Sequence, residues 1–142
     1  MTIQQLSVFI ENQSGTLLQV LNLLSKAGIQ LLTVNISDTV EYGILRIICS
    51  NPTKAYDILK EHGISVALAD AFAIELADEI GEMSRVLTIF KEEGISLTYL
   101  YSFLLHHKGI MTFRTTDAEH TIEVIKKYNL KFVEVNDLYV LR

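Results

Sequence analysis

Apolar and polar positions alternate over residues 4–11: Leu6, Val8 and Ile10 point one way, and Ser7, Phe9 and Glu11 the other. That period predicts a half-buried strand. From Leu17 the spacing changes. Leu17, Val20, Leu21 and Leu24 recur three and four apart, which is one face of a helix. Ser14 or Thr16 suits its N-cap, where a side-chain oxygen satisfies orphan amides, and Gly28 fits the left-handed C-cap position two residues after Lys26. Residues 30–37 alternate again, with Leu32, Val34 and Ile36 against Leu31, Thr33 and Asn35, and a polar break spans 38–41. Residues 42–50, rich in β-branched side chains, read as a third strand. Asn51-Pro52-Thr53 opens a second helix, since Asn51 can cap it and Pro52 suits its first position. Ala55, Ile58 and Leu59 form its apolar stripe, Gly63 ends it, and 64–69 reads as a fourth strand. The order is β-α-β-β-α-β.

The order then repeats. Gly15 and Gly81 stand 66 residues apart, and the same offset joins Val20 to Val86, Leu21 to Leu87, Gly28 to Gly94, Gly43 to Gly109 and Lys60 to Lys126 with no gap. A repeat of this period must be settled before any motif is read. It predicts strand 71–77, helix 81–93, strand 96–105, a hairpin break at 106–109, strand 110–116, helix 117–128 capped by Asp117, and strand 130–135. The tail 137–141 alternates and is placed as an added edge strand. Two units follow, 1–70 and 71–142, of α+β class. Each is a ferredoxin-like βαββαβ unit, with an antiparallel sheet and its helices on one face. Setting two such units side by side in a continuous sheet removes exposed edges, and the open sheet face is left for a second chain.

Composition narrows the partners. The 142 residues are 49% hydrophobic and 20% charged, with a formal net charge of −5. An acidic chain is a poor match for nucleic acid, whose binding rests on phosphate neutralisation. One cysteine, Cys49, excludes an internal disulfide and a Cys-x-x-Cys site; inside an apolar run it reads as a small buried hydrophobe. No apolar run approaches the ~20 residues of a membrane span. Residues 1–5 lack the pattern of a signal peptide. The expectation is a cytoplasmic protein that binds neither nucleic acid nor membrane.

The chemistry gathers at two loops, Asn12-Gln13-Ser14-Gly15-Thr16-Leu17 and Asp78-Glu79-Ile80-Gly81-Glu82-Met83. A loop that opens a helix presents free amides and the positive end of the dipole, and a glycine there lets a ligand approach the backbone. Both suit a carboxylate. Asn12 can donate and accept, whereas an ionised Asp78 can take an ammonium. An α-amino acid carries both groups. Ordinary helix capping accounts for the same residues, and a repeat would repeat its turns in either case.

These residues resemble the ACT regulatory domain. The first loop, thirteen residues of amphipathic helix, and then Gly28-Ile29-Gln30 look like its Asn-x-Pro-Gly-x-Leu and Gly-[Ile/Val]-Asn pattern. Gly43-Ile44-Leu45-Arg46 and Tyr99-Leu100-Tyr101-Ser102-Phe103 look like the tandem, stand-alone subgroup, and the resemblance covers nearly the whole chain. It implies a non-catalytic regulatory protein that binds a small effector, most often an amino acid, where two units meet. Carried over by position, it nominates Asn12, Gln13, Ser14, Gly15, Thr16, Leu17 and Gln30, and in the second copy Asp78, Glu79, Ile80, Gly81 and Ser96. Ser14 and Ile80 depart from the usual Pro, Asp78 from the usual Asn, and Gln30 and Ser96 from the frequent Asn. The Asn12 loop is expected to take the carboxylate. The resemblance also implies a homodimer and a partner enzyme of an amino-acid pathway.

Tyr99, Tyr101 and Phe103 share one strand face by alternation, where the first copy has Thr33, Asn35 and Ser37. Two readings stay open: rings that line the pocket or the subunit seam, or filler for a sheet face. His106 and His107 are adjacent on a turn, and His62 and His120 lack i, i+4 partners, so no metal site is expected. No nucleophile with an identifiable base, P-loop or dinucleotide fingerprint appears, and no cofactor is called for. The rivals are a small enzyme on a ferredoxin-like fold, because fold alone does not give function, and a module that docks a pathway enzyme.

Overall fold

The computed structural model describes residues 2–11, 14–38 and 42–140. Contacts divide the chain into two compact units. The first is Gln4–Asp70; the second is Ala71–Arg142 together with Met1–Ile3. The elements are β1 (Ile3–Glu11), α1 (Ser14–Lys26), β2 (Leu31–Asp38), β3 (Tyr42–Cys49), α2 (Pro52–Glu61), β4 (Val66–Leu76), α3 (Glu82–Glu92), β5 (Leu97–Leu105), β6 (Lys108–Thr115), α4 (Ala118–Lys127), β7 (Lys131–Phe132) and α5 (Val135–Val140). Two strands were predicted at 64–69 and 71–77; a single unbroken strand, β4, covers both. Hydrogen-bonded neighbours run β2-β3-β1-β4 in the first unit and β7-β4-β6-β5 in the second. Both orders are those of a split β-α-β pair, as the repeat predicts, and the pairings are antiparallel.

Each sheet carries its two helices on the same face. In the first unit Leu6, Val8 and Ile10 of β1 and Leu45, Ile47 and Cys49 of β3 meet Val20 and Leu24 of α1 and Ala55 and Leu59 of α2. In the second, Phe72 and Ile74 of β4 and Met111 and Phe113 of β6 meet Val86, Ile89 and Phe90 of α3 and Val124 and Ile125 of α4. The Phe113 ring lies 5.6 Å from Phe72 and 5.1 Å from Phe90, within the range of favourable aromatic pairs. Fully burying one such apolar side chain stabilises the fold by about 1.5–3 kcal/mol, so each helix stripe anchors its own sheet. The Cys49 thiol is buried here, and burial pushes its pKa up.

The caps follow local chemistry. Asn51 accepts from the Lys54 amide at 3.1 Å, with Pro52 opening α2, and Asp117 accepts from the His120 amide at 3.0 Å. Helix α1 begins at Ser14, so both Ser14 and Thr16 lie inside it and neither occupies the cap position before its first residue. Where α1 ends, Gly28 is left-handed as expected, at φ 73°.

Five features depart from the pattern read along the chain. A bulge between Leu31 and Thr33 shifts the period in β2, so Leu31 joins the helix side while Thr33 pairs Ile48 on the other. The same bulge recurs in β5 between Leu97 and Tyr99. The hairpin after β5 is tighter than predicted: Leu105 pairs Lys108, and the two residues between, His106 and His107, take φ 49° and 66°. Positive φ at both central residues is the type I′ arrangement that matches strand twist, here without glycine. The last strand, expected over 130–135, shrinks to Lys131–Phe132. The tail is the helix α5 and not an edge strand. Asp137 accepts from the Glu134 amide at 2.9 Å, Leu138 donates back to the Glu134 carbonyl at 3.1 Å, and Leu138 is buried.

Candidate functional site

The chain leaves β4 at Leu76 and enters α3 at Glu82 through Asp78–Gly81. The Glu79 amide donates to the Ala77 carbonyl at 2.8 Å, and the Glu82 amide to the Glu79 carbonyl at 3.3 Å. Gly81 sits at the N-cap position with φ 85°, a left-handed backbone that strains L side chains. It has no side chain with which to cap, so the first-turn amides of α3 are left to other partners.

An open cavity of about 490 Å³ lies against this turn. On the loop side it is lined by Asp78, Glu79, Gly81, Met83 and Ser84, and on the sheet side by Leu76, Gly109 and Ser102–Leu104. The register explains the hollow. Gly109 pairs Leu76 on β4 and Leu104 on β5, so a position without a side chain falls between two leucines. A Cβ built there would meet the Leu76 Cβ at 3.4 Å.

Charge in the cavity is uneven. Glu82 receives two hydrogen bonds from the Arg85 guanidinium, at 2.9 and 2.7 Å, which hold its carboxyl below the usual range. Its charge is thereby answered on its own helix. Asp78 and Glu79 are exposed on the cavity rim and set its sign as negative, next to amides that attract anions. Carboxylates that suit an ammonium and helix-start amides that suit a carboxylate therefore lie together on the loop side.

Of the predicted site residues, Asp78, Glu79 and Gly81 are brought together here. Ile80 is at the loop tip, fully exposed, and is not part of the lining. Ser96 is exposed just before β5, its carbonyl accepting from the Thr116 amide at 3.4 Å. Tyr99 and Tyr101 stack with centroids 6.4 Å apart and planes at 11°. They pair Arg114 and Thr112, on the sheet face away from α3, and so do not line this cavity.

In the first unit, Asn12 and Gln13 lie outside the described residues, as does the Ser14 side chain. Gly15, Thr16 and Leu17 form the first turn of α1, and a Cβ on Gly15 would meet nothing within 4 Å. Gln30 lines a separate cavity of about 490 Å³ with Leu21, Ser25 and Gly28. Its backbone is already used: its amide donates to Ser50 Oγ at 3.0 Å and its carbonyl accepts from the Ser50 amide at 2.9 Å. Only its exposed side chain remains for a ligand.

Met83 ends the loop named from the sequence; reading the sequence missed Ser102, Leu104 and Gly109 as cavity residues. Gly109 was visible as the repeat of Gly43; the strand register that sets it between Leu76 and Leu104 was not. Among the described residues no group of three His, Cys, Asp or Glu side chains could hold a metal ion, and no helix is long and apolar enough to cross a membrane.

A family model described as an ACT domain pair matches residues 1–142. The solved structure of protein BT0572 from Bacteroides thetaiotaomicron is 34% identical, with a TM-score of 0.91, covering 98% of this chain and 96% of that one. The ligand-free regulatory subunit of aspartate kinase from Thermus thermophilus shares the fold at 13% identity and a TM-score of 0.62, covering 87% of this chain and 91% of its own. The corresponding subunit from Thermus flavus does so at 14% and 0.61, covering 87% and 90%. Among curated proteins none matches the chain.

Proposed function

The chain belongs to the ACT-domain family, and from that premise we propose that it is a non-catalytic regulatory protein that binds a free amino acid at its helix-opening loops. The observation that carries this reading is the hollow under the first turn of α3, where uncapped amides and the carboxylates of Asp78 and Glu79 line one cavity. Such a pair of poles answers the two charged groups of a zwitterion. The fold shared with aspartate kinase regulatory subunits supports a regulatory role. The nominated loop of the first unit, Asn12 to Leu17, and Gln30 and Ser96 belong to the same proposal as further ligand contacts. Tyr99 and Tyr101 enter it as rings of a surface toward a second chain.

Regulation of this kind is population shift: the ligand must favour one arrangement over another by its differential affinity. A cytoplasmic homodimer that communicates with an amino-acid-pathway enzyme fits that role. The edge strand β2 carries exposed Val34 and Ile36, and an exposed apolar edge is a ready surface for another copy.

Thermal unfolding in the presence of each of the twenty amino acids tests the reading. A ligand at about 100 times its Kd adds about 2.7 kcal/mol, a rise of roughly 8–13 °C at roughly 3–5 °C per kcal/mol for a chain of this size. If no amino acid at millimolar concentration raises the transition, the proposal fails.

A further inference from the structure

The cavity of the second unit carries apolar side chains on both its sheet side and its helix side. Its sheet side is the trough between Leu76 and Leu104 left by Gly109, and Met83 of α3 closes it from the helix side. Leu104 is 78% exposed, an unusual position for a leucine on the helix-facing side of a sheet. Ile80, at the adjoining loop tip, is exposed as well. Leu104, which lines the cavity, is thus free to meet an apolar ligand there.

The repeat sharpens the point. The residue 66 positions before Leu104 is Asp38, and those before Asp78, Glu79 and Ile80 are Asn12, Gln13 and Ser14. The first copy pairs a neutral loop with an acidic strand end; the second pairs an acidic loop with an apolar one. The exchange moves negative charge to the loop that would meet an ammonium and clears it from the strand that would meet a side chain.

We propose that this cavity binds an α-amino acid with an apolar side chain of leucine or methionine size, and that Leu104, Met83 and Leu76 set that preference. The proposal rests on the amino-acid-binding reading above and adds the class of ligand. Asp78 and Glu79 hold the ammonium. The apolar trough receives the side chain, and the same two carboxylates repel a side chain that is itself anionic. Apolar pockets discriminate by roughly tenfold or more per methylene, so alanine binds far more weakly than leucine.

Isothermal titration of the full chain with L-leucine, L-methionine, L-alanine, L-serine and L-aspartate tests this, with Leu104→Asp and Leu104→Met beside the wild type. Because Leu104 is largely exposed, both variants should unfold at the wild-type temperature. The expected result is that leucine or methionine binds at least about tenfold more tightly than serine or aspartate. Leu104→Asp should weaken leucine by about tenfold or more, and Leu104→Met should keep it. Tightest binding by serine or aspartate, or an unchanged leucine affinity in Leu104→Asp, overturns the apolar assignment while the amino-acid reading stands. No binding by any of these five, with no rise in the thermal transition from any of the twenty, overturns both.

Discussion

Gly81 is the residue on which the geometry of the second loop turns, and replacing it by alanine measures that role. Its φ of 85° lies in the left-handed region, and an added Cβ meets nothing within 4 Å. Gly81→Ala therefore carries strain without a clash. The left-handed backbone costs an L residue about 1–2 kcal/mol. Loss of glycine freedom in the unfolded chain returns about 0.4–1 kcal/mol. The net destabilisation centres on about 0.8 kcal/mol, a fall of roughly 2–4 °C in Tm. Gly94→Ala is the matched control: it lies in the same unit, has φ 74°, and its added Cβ also meets nothing within 4 Å. Thermal and urea unfolding should show the two variants losing the same amount. With a bound amino acid they should part. Gly94→Ala should keep the ligand-dependent rise in Tm and Gly81→Ala should lose most of it. A Gly81→Ala protein as stable as wild type would refute the left-handed turn, and one that keeps the full ligand response would refute the site.

The remaining predictions concern the helix caps, the surface charges and the sheet edge. Asp117→Ala removes the acceptor of the His120 amide and should cost about 1 kcal/mol, read from urea midpoints at constant slope. The Glu93 carboxyl is held below the usual range by hydrogen bonds from the Lys127 ammonium and then the Tyr128 hydroxyl. A depressed carboxyl contributes stability above its unfolded pKa of about 4.3 and loses it as pH falls through the lower folded value; Glu93→Gln should flatten that acid limb. The His120 imidazole is held above its usual value, chiefly by its hydrogen bond to the Glu93 carbonyl. Its contribution is complete below about pH 6.5 and fades as pH rises through the higher folded value, so His120→Ala should remove a shallow decline in Tm on the alkaline side of about pH 6.5. The proposed homodimer is tested by Val34→Lys, which puts a charge on the exposed edge of β2: sedimentation should show wild type as a dimer and the variant shifted to monomer, and a monomeric wild type or a variant that stays dimeric would refute pairing through this edge.

What was legible in the chain were the features with short-range causes. The stripe Val20–Leu24, the Asn51 and Asp117 caps and the glycine-ended helices all follow from spacing and side-chain chemistry, and the 66-residue offset carried each of them into the second copy. The bulges at Leu31–Thr33 and Leu97–Tyr99 were not legible, since one extra residue in a strand leaves no mark on composition, yet it decides which face the tyrosines occupy. The α5 helix was misread because Leu138 and Val140 alternate over too few residues to separate a period of two from one of 3.6. At the site, Asp78 and Gly81 could be named from the loop alone. Leu104 could not, because it joins the cavity through cross-strand register at Gly109, a contact that no local window contains. Asn12 and Gln13 could be named too, and they lie outside the described residues.

The most direct measurement is a ¹H–¹⁵N titration of the uniformly labelled chain with L-leucine, following the amides of Gly81, Met83 and Ser84. Saturable shifts concentrated on these three, with a Kd between about 1 μM and 1 mM, are what a zwitterion seated against the first turn of α3 produces. Shifts that never saturate, or that gather elsewhere while these amides stay still, would contradict it.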